Sequence, residues 1–378
     1  MNSNVTNANI DTHTPLQWAQ AACDSLMARY TPEQLPPENR WHYHQGIFLH
    51  GMLQVWKRNG EEAYLQYTKR YVDHLVDEYG NFIFARDELD SIMAGLLLFP
   101  LEEHNADGSP RYRQAIEKLR NLFGTLNRTA EGAFWHKDKY PYQMWLDGLY
   151  MGGVFALEYA ARYGDEGLID RVVEWEGLMR KRMTDDKTGL LFHAYDESRS
   201  FPWADLVTGC SPELWGRSLG WYGMALADFL DILPADHAAA TIWKEKLGQF
   251  VKALIRLQDA ESGLWYQVVD KGDRAGNWLE TSCTSLFVYA IAKAVKHGCI
   301  EEAYIDAAWK GYRGLISRLK FDEIGVIVPD ICIGTSAGEY DYYVARPVSE
   351  NDLHGVGAFI LACTEMEEVR EHGEGMKG

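Results

Sequence analysis

Residues 136–150 read HKDKYPYQMWLDGLY, and the run 149–161 that grows out of them reads LYMGGVFALEYAA. The first part is polar, aromatic and broken by Pro141, the composition of a loop. The second is apolar almost all the way round, the mark of a helix buried on every side. Asp147 stands where one gives way to the other, with His136, Lys137, Asp138, Lys139, Tyr140 and Trp145 just before it. An acid at the mouth of a buried helix, ringed by aromatic residues, is a candidate for proton chemistry. Aspartate is also a favoured helix N-cap, so the position has a purely structural reading as well.

Five more runs share the character of 149–161: 46–56, 92–101, 219–230, 285–295 and 354–363, all apolar and rich in Gly or Ala. Their small residues let neighbouring backbones approach. Between them lie amphipathic patterns at three-or-four spacing, such as Tyr64, Tyr67, Tyr71 and Leu75, or Trp243, Leu247, Phe250 and Leu254. That spacing marks helices wet on one side. Counting 16–30 and 168–182 with these gives six outer and six inner helices, about twelve. The joins repeat too: a glycine and a short extended run follow several outer helices, at Gly80, Gly132, Gly189, Gly263 and Gly325. The pattern predicts an all-α fold, an (α/α)6 barrel of alternating inner and outer helices. A linear solenoid of helix pairs is the alternative, but it would not make every second helix so uniformly apolar.

No Pro-, Gly- or Ser-rich linker divides the chain. The expectation is a disordered tail over residues 1–13 and one catalytic domain over 14–378. With 378 residues the chain is long enough for a large core. Its net charge of −18 argues against a general nucleic-acid binder, which needs a basic surface. No stretch is long and apolar enough to span a membrane. Six scattered cysteines without a C-x-x-C pair read as reduced thiols, and the polar N-terminal stretch shows no leader, so a cytoplasmic monomer is expected.

In such a barrel the inner helices begin at one end. The loops that feed them hold the unusual residues: 40–44, 86–90, 136–150, 193–196, 211–217, 271–278 and 334–343. Asp90 and Asp147 occupy equivalent places. Apolar neighbours such as Trp145 would raise the pKa of Asp147 and favour a proton donor, whereas a helix N-terminus would lower it. Two carboxylates across one cavity suit ordinary glycoside hydrolysis; one suffices to add water across a double bond. Both remain open on the residues alone. Arg217 can grip a carboxylate with its planar fork, and Lys137 is a second candidate. Trp41, Trp145 and Trp221 can stack on a sugar ring or fill the core. His42 and His44, with His136 and His193, do not have the spacing of a helical zinc motif, so no metal is expected, and no cofactor motif is present.

The segments RWHYHQG, RDELD, FWHKDKYPYQMWLDGLYMGG, GCSPELWGRSLGWY, GLWYQVVDKGDR, NWLE, DICIGTSAGEYDYY and NDLHGVGAFIL closely resemble unsaturated rhamnogalacturonyl hydrolases, glycoside hydrolase family 105. The resemblance covers nearly the whole chain, from about Pro15 to Glu368. It implies a cytosolic (α/α)6-barrel enzyme of pectin breakdown. Its substrate would be a small oligosaccharide, 4,5-unsaturated galacturonic acid linked to rhamnose. By this resemblance Asp147 is the catalytic acid and base. His42, Tyr43, Asp90, His136, Lys137, Asp138, Lys139, Tyr140, Trp145, Arg217, Trp221, Thr335 and Ser336 would line the sugar site, with His193 nearby. The related unsaturated glucuronyl hydrolases, acting on glycosaminoglycan-type disaccharides, are the second resemblance.

Overall fold

The computed structural model describes residues 13–106 and 108–375. The expected tail lies outside these residues apart from His13, whose ring packs on Trp18 with centroids 4.7 Å apart. Outer and inner helices alternate along the chain. The first half runs α1 (Pro15–Arg29), α2 (Tyr43–Asn59), α3 (Glu62–Leu75), α4 (Leu89–Ala94), α5 (Leu98–Glu103), α6 (Arg111–Leu122) and α7 (Gly148–Tyr163). The second runs α8 (Glu166–Met183), α9 (Gly216–Ile232), α10 (Ala238–Ile255), α11 (Thr281–Lys296), α12 (Ile305–Arg318), the short α13 (Tyr340–Val344) and α14 (Leu353–Gly375).

The inner helices close into a ring: α2 packs on α4, α4 on α7, α7 on α9, α9 on α11, α11 on α14, and α14 returns to α2. That closure makes the fold an (α/α)6 barrel rather than a solenoid. Outer helices lie against it, α3 on α2, α6 on α5, α8 on α7, α10 on α9 and α12 on α11, with α1 against α14. The all-round apolar reading of the inner runs holds: Leu149, Phe155, Leu219, Phe287 and Phe359 are all fully buried. Each such side chain stabilises the fold by about 1.5–3 kcal/mol. The ring is tight where small residues meet. A Cβ on Gly357 of α14 would come within 2.6 Å of the Phe48 backbone nitrogen on α2.

One expectation needs correction. The run 92–101 is not one helix but α4 and α5 joined by a 3-10 turn, Gly95–Leu97. Pro100 explains the break. It has no N–H to bond back into the preceding turn, but it is tolerated in the first turn of a new helix. The repeated joins are real turns. Asp77, Asp185, Asp259 and Asp322 follow outer helices, and each side chain accepts backbone N–H bonds from the next few residues. Gly80 and Gly263 in these turns have φ of 69° and 78°, and a Cβ on either would meet backbone atoms of the next outer helix at 2.6 Å.

Short antiparallel ribbons tie the loops together: β1 (Gln143–Trp145) with β2 (Ala194–Asp196), β3 (Trp265–Tyr266) with β4 (Leu279–Glu280), β5 (Lys320–Phe321) with β6 (Val326–Ile327), and β7 (Ile331–Cys332) with β8 (Val348–Ser349). The first matters most for function. It sets Trp145 opposite Ala194 and so brings the loop before Asp147 alongside His193.

Candidate active site

The N-terminal ends of the inner helices gather around a cavity of about 270 Å³. Tyr43 at the start of α2, Asp90 in α4, Asp147 before α7 and Arg217 in α9 all reach its wall. His42, His136, Lys137, Lys139, Tyr140, Trp145, Thr335 and Ser336 complete most of the rest.

Neither carboxylate is spent on capping. Asp90 lies inside α4, whose N-cap is Glu88, with no side-chain cap bond. Asp147 holds the N-cap position of α7 but has helical backbone angles, φ −52° and ψ −36°, and its side chain accepts no cap bond.

Asp90 is 2% exposed and sits in a cluster. The Lys137 ammonium rests directly on its Oδ2. His42 Nε2 lies 3.0 Å from the same oxygen, and His136 Nε2 lies 3.8 Å from Oδ1. Glu88 stands 3.6 Å from the Lys137 ammonium. Burial alone would raise the Asp90 pKa, but Lys137, His42 and His136 overcome it and hold the carboxyl well below its usual range. Burial pushes His42 and His136 down to about 4 each, so both rings are neutral at neutral pH. His42 therefore faces Asp90 as a neutral ring, with Nε2 off the ideal hydrogen-bond line.

Asp147 has a different neighbourhood. His193 Nε2 lies 3.1 Å from its Oδ2, and His193 is fully buried behind it. The approach is off the ideal hydrogen-bond line, so both atoms keep bonding capacity. Contacts of this kind tighten when substrate closes a site. Burial would raise the Asp147 pKa; the close approach of His193, with His136 beyond, brings it below the ordinary value. Among the described residues no lysine or arginine forms an ion pair with it.

The aromatic residues are arranged differently from the sequence reading. Trp145 has His136 stacked on it at 4.4 Å and Tyr140 at 4.6 Å, and its indole N–H bonds to Gln143. Little of its face is left for a sugar. Trp221 does not line the cavity: it is 1% exposed, stacks on Tyr150 at 5.1 Å and meets Tyr43 edge-on. Trp41 is also core, bonded to the Ser91 carbonyl. Asp138 points away and accepts from Asn127. His193 stands behind Asp147 rather than on the wall. The segment 271–278 does not reach the cavity either, since Lys271 pairs with Glu213 and Arg274 stacks on Tyr340 at 3.6 Å.

Arg217 is 1% exposed and pinned. It donates to the carbonyls of Cys332 and Ile333, and to His354 Nε2 at 3.0 Å. Its guanidinium lies 4.5 Å over the Trp215 ring. Tyr140 shares a 2.6 Å hydrogen bond with Ser336, and Tyr342 accepts from the Ser336 N–H. Arg346 donates to Gly334. Arg40, His44, Trp215 and Tyr342, all from loops expected to converge here, line the cavity although none was named as a sugar contact, and so does Arg346. Trp215 had a signal, two positions before Arg217. Arg346 had none, because only the turn after α13 brings it back to Gly334.

Among the described residues two triads have metal-ligand reach, His42–Glu88–Asp90 and His44–Asp352–His354. In the first a side-chain cation, Lys137, already rests on Asp90; in the second, His354 Nδ1 faces Asp352 at 2.7 Å and its other nitrogen faces Arg217.

An (α/α)6 barrel that gathers acids, rings and hydrogen-bonding groups at its inner-helix N-termini has the features of a carbohydrate-active enzyme. The chain belongs to Glycosyl Hydrolase Family 88, whose model matches residues 18–370. It is similar to a glycoside hydrolase from family 105 of C. acetobutylicum ATCC 824, at 35% identity and a TM-score of 0.87, over 93% of this chain and 99% of that one. It is 36% identical over 231 residues to Protein Atu3128 of Agrobacterium fabrum, 57% of this chain and 97% of that protein. It is also 25% identical over 288 residues to the unsaturated rhamnogalacturonyl hydrolase YesR of Bacillus subtilis, 72% of this chain and 76% of that protein. The resemblance to family 105 read from the motifs is thereby upheld, and the protein is a glycoside hydrolase of this group.

Proposed function

We propose that the enzyme hydrates the 4,5 double bond of unsaturated galacturonic acid linked to rhamnose, with Asp147 as the one acid and base. The observation that carries this is the contrast between the two carboxylates. Asp90 is matched by Lys137 and stays ionised, so it is a poor proton donor. Asp147 faces the cavity with His193 as its nearest partner and no lysine or arginine paired with it among the described residues, and it can trade protons. Ordinary glycoside hydrolysis asks two carboxyl groups to do so.

In this reading Asp147 protonates C4 of the enol ether, and positive charge develops at C5. Water adds at C5 and returns a proton to the Asp147 carboxylate. The hemiketal at C5 opens, and the hemiacetal left at C1 expels rhamnose and 5-dehydro-4-deoxy-glucuronate. Asp147 is ionised in the free enzyme; an anionic uronate and the exclusion of water raise its pKa in the complex. Asp90 with His42, Lys137 and His136 forms a fixed donor and acceptor cluster for the ring hydroxyls. The pinned Arg217 and the hydroxyls of Thr335 and Ser336 complete the sugar contacts. The rhamnose aglycone, and a role in pectin degradation, are supported by the HKDKYPYQMW block and by the likeness to YesR. The six cysteines are all unpaired, which supports a cytoplasmic enzyme; in this reading it acts as a one-domain monomer.

Turnover in D2O, with the product read before the C4 position exchanges, tests whether the enzyme protonates C4. Hydration by a fixed acid places deuterium on one face of C4 of the released keto-uronate. Deuterium on both faces, as an enol released first and tautomerising in solution would give, contradicts it.

A further inference from the structure

Behind Asp147 lies a chain of contacts that the reaction above does not use. His193 Nδ1 is 2.6 Å from the Tyr343 hydroxyl oxygen. That oxygen accepts the backbone N–H of Gly338 at 3.1 Å. Tyr343 and His193 are both fully buried. Trp215 stacks on Tyr343 at 5.6 Å and tilts against His193 at 4.5 Å, so neither ring has room to turn.

The direction of each bond follows from the proton inventory. Burial pushes the Tyr343 pKa well up, so the phenol keeps its proton. Its oxygen already accepts from Gly338, and the phenol proton needs an acceptor. Among the described residues the one within reach is His193 Nδ1. That nitrogen therefore carries a lone pair, and the ring proton sits on Nε2, facing Asp147 Oδ2. The opposite tautomer would crowd a second donor onto the phenol oxygen and set a lone pair against a carboxylate.

We propose that Tyr343 is a positioning residue for the reaction: it fixes His193 as the Nε2–H tautomer, so that His193 holds Asp147 Oδ2 and leaves the other oxygen to exchange protons with the substrate. This rests on the reading of Asp147 as the acid and base. The same tie has a second end. Gly338 belongs to the segment that carries Thr335 and Ser336 into the cavity wall, so the sugar-binding wall and the acid are fastened through one phenol.

Two measurements test it. The first is the imidazole nitrogen NMR of His193 in the wild-type protein, which needs no substrate. The Nε2–H tautomer is expected; the Nδ1–H tautomer overturns the proposal. The second is Tyr343→Phe, which keeps the ring and removes the hydroxyl. His193 then loses its tautomer preference. The kcat should fall about tenfold or more, part of the 10²–10⁴ a positioned acid–base group supplies, and by a larger factor than KM rises. The groups facing Asp147, namely His193, His136, Tyr43 and Arg217, stay in place. With its donor loosened, Asp147 holds its proton more readily and the alkaline limb of kcat/KM moves to higher pH. A merely structural tyrosine would lower the melting temperature and leave that limb where it was. Wild-type kcat and pH profile in Tyr343→Phe overturn the proposal. If wild type does not process unsaturated galacturonyl-rhamnose at all, the functional reading fails, and the NMR result still decides whether Tyr343 sets the tautomer.

Discussion

The ammonium of Lys137 rests on the carboxylate of Asp90 at the cavity wall, with 13% and 3% of the two side chains exposed. A buried ion pair of this kind makes each partner costly to remove alone. Lys137→Met should destabilise the fold by about 3 kcal/mol at neutral pH, read by urea melts. The loss should shrink at low pH, where Asp90 can take up a proton instead. An unchanged urea midpoint at pH 7 would mean that Lys137 does not hold the carboxylate.

The buried histidines set a pH dependence of stability. His42, His136 and His354 are held neutral to about 4, against 6.5 for a free side chain. Burial is the first cause in each. Between about pH 6.5 and 4 the unfolded chain binds these protons and the folded one does not, so stability falls as the pH falls. Each site costs on the order of 3 kcal/mol once the pH is below both values. Asp90 and Asp352, both held low, add their losses only at more acid pH. Urea midpoints at pH 7, 5.5 and 4.5 should decline steadily. A flat profile over that range would contradict the neutral assignment.

Arg217 is held by two carbonyls and His354, and its planar fork is what those acceptors fit. Lysine has a single ammonium and cannot meet them together. Arg217→Lys should raise KM for the unsaturated disaccharide about tenfold or more, a loss of about 1.4 kcal/mol. Unchanged KM would remove Arg217 from the binding site.

The barrel seam makes a prediction of its own. A side chain at Gly357 would push α14 off α2, where backbone meets backbone. Gly357→Val should cost at least about 2 kcal/mol, seen as a lower melting temperature. A variant as stable as wild type would mean that the ring has slack at this point.

Much of this architecture was legible because burial writes itself into helices. The run 149–161 is apolar almost all round, and α7 is buried on every side from Gly148 to Leu157. The broken inner rod at Gly95–Leu97 was not foreseen, although Pro100 carried the signal. The cavity was legible as a convergence of loops, since helix starts in a closed ring must meet. Its wiring was not. Trp221 read as either a sugar platform or core, and it packs on Tyr150; the residues alone left it open because an aromatic residue in the first turns of an inner helix can point inward or upward. Capping read plausibly for Asp90 and Asp147, yet neither side chain caps. Tyr343 and His354 carry no pattern that links them to Asp147 or Arg217; 196 residues separate Asp147 from Tyr343 in the chain, and only the closed ring brings them together.

The most direct test of the central claim follows the ultraviolet absorbance of unsaturated galacturonyl-rhamnose with wild type and with Asp147→Asn. Hydration destroys the chromophore. Wild type should bleach it, and the variant should do so about a thousandfold more slowly while still binding the sugar. Full bleaching by Asp147→Asn would contradict Asp147 as the acid and base. A wild-type enzyme that leaves this substrate untouched, yet bleaches an unsaturated glycosaminoglycan disaccharide, would contradict the rhamnogalacturonyl assignment.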